Sequence, residues 1–217
     1  MEAPAETELL FEGPAGGADV VVLAHGAGAP MDSPFMNRVA QGLAKQGLRV
    51  ARFEFPYMAN RRRGGGRKAP DREPMLRRTW LDVILRLGGG GQVVIGGKSM
   101  GGRIASLVAG EAGARGLLCF GYPFHPPGEP ARLRTSHLES LAVPTLIVQG
   151  TRDPFGAPEE VAGYRLSPGI RVHWIEGGDH SLKPKARSDR TEQQNLEEAI
   201  AAGAEFVRNL PPPSRRT

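Results

Sequence analysis

Short apolar runs recur along the chain, at residues 19–24, 49–55, 92–96, 116–121, 145–149 and 171–175. Most are continuous in Val, Ile, Leu or Phe, and Gly or Pro bounds them. That is the pattern of strands buried on both faces. Between these runs the apolar positions take a helical period. Phe35, Val39, Leu43 and Ala44 mark one helix, and Leu76, Trp80, Val83, Ile84 and Leu87 a second. Ile104, Leu107, Val108 and Gly110 mark a third, and Leu196, Ala199, Ile200, Gly203 and Val207 a C-terminal one. Strand–helix alternation of this kind predicts an α/β fold: a mostly parallel sheet of about six strands with helices on both faces.

Two stretches break the alternation. Residues 57–74 carry Arg61-Arg62-Arg63-Gly64-Gly65-Gly66 and no periodicity, which predicts a long flexible basic loop at about 58–73. Residues 210–217 hold three prolines and two arginines and read as a frayed tail. No repeat or linker divides the chain, and no insertion follows the fourth strand to form a large cap. Residues 1–217 therefore read as one domain with its core at about 17–208. A chain of 217 residues buries about 70% of its unfolded surface, enough for a core without staples.

The formal net charge is +5, and the basic residues cluster at Arg61, Arg62, Arg63, Arg67, Lys68 and Arg72. A solvated loop or a patch attracting an anionic substrate or partner both fit this cluster. Nucleic-acid binding is not predicted, because aromatic residues make up only 6% and no stacking motif accompanies the charge. The single cysteine, Cys119, lies in an apolar run and reads as core packing. The start of the chain carries acids rather than the basic residues of a signal peptide, and no apolar run is long enough to span a membrane. The predicted location is the cytoplasm.

The strongest chemical signal is Gly97-Lys98-Ser99-Met100-Gly101-Gly102, between a buried strand and a helix. Gly-x-Ser-x-Gly in that setting is a nucleophile elbow: a sharp turn lifts the serine hydroxyl to the carboxyl edge of the sheet. The flanking glycines supply the missing bulk, and the helix N-terminus adds a positive end beside a developing oxyanion. A phosphate-binding loop would need glycine at position 92, where Gln92 stands. No role is assigned to Lys98.

A serine needs a base to take its proton. In a hydrolase built on this elbow the acid and the histidine follow the serine in that order. Asp153 follows the strand at 145–149, and His180 follows the strand at 171–175. Both stand at the edge that carries Ser99. Asp179 is a poorer acid, because its neighbour in sequence is His180 itself. His173 lies within a strand and reads as structural.

The first strand ends in His25-Gly26-Ala27-Gly28. A turn there aims a backbone N–H at the substrate oxygen, with Ala27 the first choice of donor and Gly26 the alternative; Met100 supplies the second donor. His25 and Tyr57 are candidate pocket residues. His125 reads equally as pocket lining or as a loop anchor.

These pieces carry a resemblance. His25-Gly26-Ala27-Gly28, Phe55-Pro56-Tyr57, the Ser99 elbow, Gly121-Tyr122-Pro123-Phe124-His125-Pro126-Pro127-Gly128, Gly150-Thr151-Arg152-Asp153-Pro154-Phe155-Gly156 and Asp179-His180-Ser181-Leu182-Lys183-Pro184 look like a small α/β-hydrolase family related to dienelactone hydrolases. Its bacterial members have animal relatives, among them a testis-expressed protein and a subunit of a chromatin acetyltransferase complex. The resemblance implies the α/β-hydrolase fold over about residues 17–208, with Ser99, Asp153 and His180 at the triad positions. It departs from dienelactone hydrolases proper, whose nucleophile is cysteine. The function expected is a serine hydrolase cleaving a small-molecule ester or thioester through an acyl-enzyme, with no metal or organic cofactor implied. The second reading is a non-catalytic protein-interaction module on the same fold.

Overall fold

The computed structural model describes residues 7–16 and 19–213. Six parallel strands form the body of the sheet: β2 (Val20–Ala24), β3 (Arg49–Phe53), β4 (Val93–Lys98), β5 (Gly116–Phe120), β6 (Thr145–Gly150) and β7 (Ile170–Ile175). A seventh, β1 (Leu9–Glu12), pairs antiparallel with β3, and the strand order is β1-β3-β2-β4-β5-β6-β7. Among the described residues six α-helices accompany them: α1 (Pro34–Lys45), α2 (Pro56–Arg62), α3 (Glu73–Arg86), α4 (Met100–Val108), α5 (Pro158–Val161) and, after the last strand, α6 (Glu192–Arg208).

Strand alternation explains why the apolar runs are continuous. Val22, Ala51, Phe53, Ile95, Leu117, Cys119 and Ile147 face a core closed by Trp80 and Val83 of α3 and Ile104 and Val108 of α4. Their neighbours Val21, Leu23, Val50, Val94, Leu118 and Val148 face the other core, closed by Val39 and Leu43 of α1 and Leu196 and Val207 of α6. The central residues of β2 to β6 are therefore buried whichever way they point. Phe53 and Trp80 meet edge to face with ring centroids 4.7 Å apart. Cys119 is fully buried in the first of these cores, and burial raises its thiol pKa.

The expected mostly parallel sheet of about six strands is present and gains a seventh at its edge, because β1 is held by its partner rather than by its own length. Arg52 of β3 reaches across to Glu12 at 3.0 Å, and the Arg49 guanidinium lies 4.6 Å from the Phe11 ring centroid. Of the loop expected at 58–73, residues 58–62 are helical. Pro56 opens α2, a position where its missing N–H costs nothing, and Tyr57 and Met58 are buried beneath it. Arg62 then bridges Asp32 at 2.8 Å and Glu54 at 2.7 Å, so one of the clustered arginines is internally paired.

Of the expected tail, Leu210 packs on the α1–α6 side, residues 211–213 carry no regular element, and 214–217 lie outside the described residues, as do 1–6. Among the described residues no large cap covers the carboxyl edge of the sheet. Among the described residues no helix is long and apolar enough to cross a membrane.

Candidate active site

Ser99 is the single residue between β4 and α4, and it sits at φ 50°, ψ −117°. A side chain in that region costs about 1–3 kcal/mol and persists only where the surroundings force it. The forcing comes from β2. A Cβ on Gly97 would lie 2.1 Å from the Ala24 carbonyl oxygen, and one on Gly101 would lie 2.4 Å from the same atom. The elbow thus touches the neighbouring backbone directly. Ser99 N donates to Phe120 O at 3.0 Å, and Ser99 O receives the first turn of α4 through Arg103 N at 3.0 Å.

The three residues expected to cooperate are brought together. His180 Nε2 lies 2.9 Å from Ser99 Oγ, and His180 Nδ1 lies 2.8 Å from Asp153 Oδ2. Asp153 is buried, and both of its oxygens are engaged: Gln149 Nε2 also donates to Oδ2 at 2.9 Å, and Phe155 N donates to Oδ1 at 2.9 Å. A carboxylate accepting at Nδ1 fixes the proton there, which leaves Nε2 free to accept from the serine hydroxyl. The Phe155 ring lies 4.2 Å from the His180 ring, holding it against Ser99. Asp179 does not compete for the imidazole. Its Oδ1 accepts from Ser181 N at 2.7 Å and Lys183 N at 3.0 Å, building the turn that presents His180. His173 pairs with Glu198 of α6 at 3.1 Å, away from the site.

Lys98 acquires a place that its sequence position did not reveal. Its Nζ donates to the His180 carbonyl at 2.6 Å and lies 5.6 Å from the Phe35 ring centroid. Burial pulls its pKa down to about 8, against the opposing influence of Asp153 and Asp179. Because that value is below the ordinary 10.5, the buried charge costs stability below about pH 8, and the cost is relieved as pH rises from there to 10.5. The lysine also ties down the histidine loop, most firmly while charged. Stability is therefore expected to rise over this window while kcat falls, and Lys98→Met is expected to flatten both trends and lower kcat at pH 7 about tenfold. Unfolding midpoints and kcat followed from pH 7 to 10.5 check this; a variant that tracks the wild type in both would refute it.

Ala27 and Met100 line the cleft into which Ser99 opens. Met100 is the first residue of α4, so its N–H has no acceptor within the helix. The Ala27 peptide is held by the Tyr57 hydroxyl, which donates to Ala27 O at 2.9 Å. Gly26 is not part of that lining; its carbonyl accepts from His25 Nδ1 at 2.7 Å.

None of the three pocket candidates lines the cleft. His25 is fully buried, and its Nε2 accepts from Phe55 N at 3.1 Å, so it ties the end of β2 to the chain leaving β3. Burial lowers its pKa and keeps it neutral for that bond. Tyr57 acts from behind, through Ala27. His125 is a loop anchor: it is buried, and Nδ1 donates to Pro126 O at 2.7 Å.

The cleft itself has a volume of about 340 Å³. Its apolar walls include Leu76, Pro123 and Phe155, and its charged residues are Asp71, Glu73, Arg103 and Arg134. These were not found in the sequence. A larger hollow of about 550 Å³ lies between α1 and α6, but no serine, cysteine or histidine lines it. No group of three or more His, Cys, Asp or Glu that could hold a metal ion occurs among the described residues.

A family model described as the alpha/beta hydrolase domain matches residues 17–208. The chain belongs to that family. Solved structures similar to this α/β hydrolase include the dienelactone hydrolase from Anabaena variabilis, 21% identical with a TM-score of 0.70 over 94% of this chain and 92% of that one. An alpha-beta serine hydrolase homologue from Coxiella burnetii is 21% identical, with a TM-score of 0.66 over 94% and 92% of the two chains. An α/β serine hydrolase without a lid, from Xanthomonas campestris, is 18% identical, with a TM-score of 0.67 over 96% and 97%. At these identities the likeness establishes the shared fold of this α/β hydrolase.

Proposed function

We propose that this α/β hydrolase cleaves a small-molecule ester or thioester through a covalent acyl-enzyme on Ser99. The observation that carries the reading is the continuous hydrogen-bonded chain from Ser99 Oγ through His180 to a buried, fully engaged Asp153, opening on a cleft. In the forward step Ser99 Oγ attacks the substrate carbonyl carbon as its proton passes to His180 Nε2. Negative charge builds on the carbonyl oxygen, and the Ala27 and Met100 N–H groups are the donors assigned to it in this reading; that both residues line the cleft with Ser99 supports the assignment. Collapse expels the alkoxide or thiolate, which takes the proton from His180. Water then repeats the sequence on the acyl-enzyme and frees the acid. Asp153 holds the imidazole in the correct tautomer throughout. Structural likeness to a dienelactone hydrolase and to serine hydrolases supports this choice of chemistry.

A fluorophosphonate probe tests the reading without any substrate being known. The wild-type protein is expected to take up one probe per chain, located on Ser99 by peptide mass spectrometry. A folded protein that stays unlabelled, or a label mapped to another residue, would overturn it.

A further inference from the structure

The cleft beside Ser99 holds four charged side chains, and three of them are already engaged. Asp71 Oδ2 accepts from Tyr57 N at 2.8 Å. Glu73 Oε2 accepts from Arg103 Nη2 at 3.1 Å. Arg134 is different. Its backbone is fixed, with N donating to Phe124 O at 2.7 Å and O accepting from the Tyr122 hydroxyl at 3.4 Å. Its guanidinium, by contrast, forms no hydrogen bond or ion pair with any described residue. The strongest charges acting on it are like charges, from Arg103 and Arg132, with Glu129 a weaker opposing influence. Partial burial and these two neighbours lower its pKa from the ordinary arginine value, yet a guanidinium stays charged at any working pH.

A half-buried cation facing other cations is unfavourable in the empty protein and favourable once an anion arrives. The guanidinium fork matches a carboxylate bidentately. One unpaired guanidinium balances one charge, which favours a carboxylate over a doubly charged phosphate. Leu76, Pro123 and Phe155 give a short carbon chain apolar contact within the same cleft. The clustered arginines before α3 are not the source of this charge, because only Pro70 and Asp71 of that stretch reach the cleft.

We propose that the cleft selects esters whose acyl part carries a carboxylate, bound by Arg134 with Arg103 adding to the positive field. The inference rests on Ser99 being the nucleophile of a hydrolase.

The test compares p-nitrophenyl hemiadipate with p-nitrophenyl hexanoate, an anionic and a neutral ester of matched chain length. Wild-type kcat/KM is expected to favour the hemiadipate by about tenfold, and added sodium chloride is expected to erode that preference. Arg134→Gln is expected to abolish the preference, losing about tenfold more kcat/KM on the hemiadipate than on the hexanoate. Arg134→Lys is expected to keep part of it, retaining the charge without the fork. Equal rates on the two esters, or a preference for hexanoate, would overturn the inference. So would a preference indifferent to salt, a reading that needs no variant to fold, or an Arg134→Gln loss equal on both esters. Turnover of hexanoate without discrimination sinks only the anion site. Turnover of neither ester, with no probe on Ser99, sinks the hydrolase reading and this inference with it.

Discussion

Ser99→Ala is expected to lower kcat on an activated ester by about 10⁶-fold, leaving a residue of about 10³–10⁴ over water from the oxyanion donors and binding. In the proposed mechanism the hydroxyl is the only group of the protein that bonds covalently to substrate, and His180 and Asp153 act through it. Alanine at φ 50° keeps the same backbone conformation, and the change removes one half-buried oxygen that faces the cleft. The unfolding midpoint is therefore expected to stay near that of the wild type, with stability within about 0.5 kcal/mol. Steady-state kinetics beside a melting curve separate lost chemistry from lost structure. Activity within tenfold of wild type would assign the nucleophile elsewhere.

Asp153→Asn is expected to reduce kcat by about 10⁴ with KM little changed. The surroundings make this substitution harsher than its size suggests. Both carboxylate oxygens face donors: Gln149 Nε2 and His180 Nδ1 at Oδ2, and Phe155 N at Oδ1. An asparagine amide must turn its NH₂ toward one of these sides. Facing Oδ2's partners, it forces His180 to accept at Nδ1 and to carry its proton on Nε2, where it cannot take a proton from serine. Facing Phe155, it sets donor against donor inside the protein. Either way a buried polar group goes unpaired, costing about 1–3 kcal/mol. The kcat loss and a lowered unfolding midpoint are expected together, and an Asn variant with near-wild-type kcat would show that the carboxylate does not set the tautomer.

Most of the parallel body of the sheet was legible because β2 to β6 are buried on both faces, so hydrophobicity alone marks them; β7, where only Ile175 is buried, shows in its Ile, Val and Trp content instead. β1 was not, because four residues, Leu9–Glu12, form a strand only by leaning on β3. α2 was hidden by composition. Only Tyr57 and Met58 are buried in it, and arginines fill its last turn. In the candidate site, Ser99, Asp153 and His180 were legible because each lies in the segment that follows the carboxyl end of a strand: β4, β6 and β7. Residues that act at second hand do not. Lys98 reaches the His180 loop, 82 positions away, only through the fold. Arg103 did leave a signal: it lies four residues after Ser99, one helical turn on, and so on the same face of α4. Arg134 left none, since it lies in an aperiodic loop.

The φ of 50° at Ser99 has a bearing on how this chain responds to engineering. Glycine accepts that angle freely, and a serine does not. A screen that rewards only heat resistance will therefore drift toward glycine at this one position, conserving the sheet while discarding the hydroxyl. Thermal robustness and reactivity are opposed at a single backbone angle, so turnover and melting must be scored side by side in any improvement campaign.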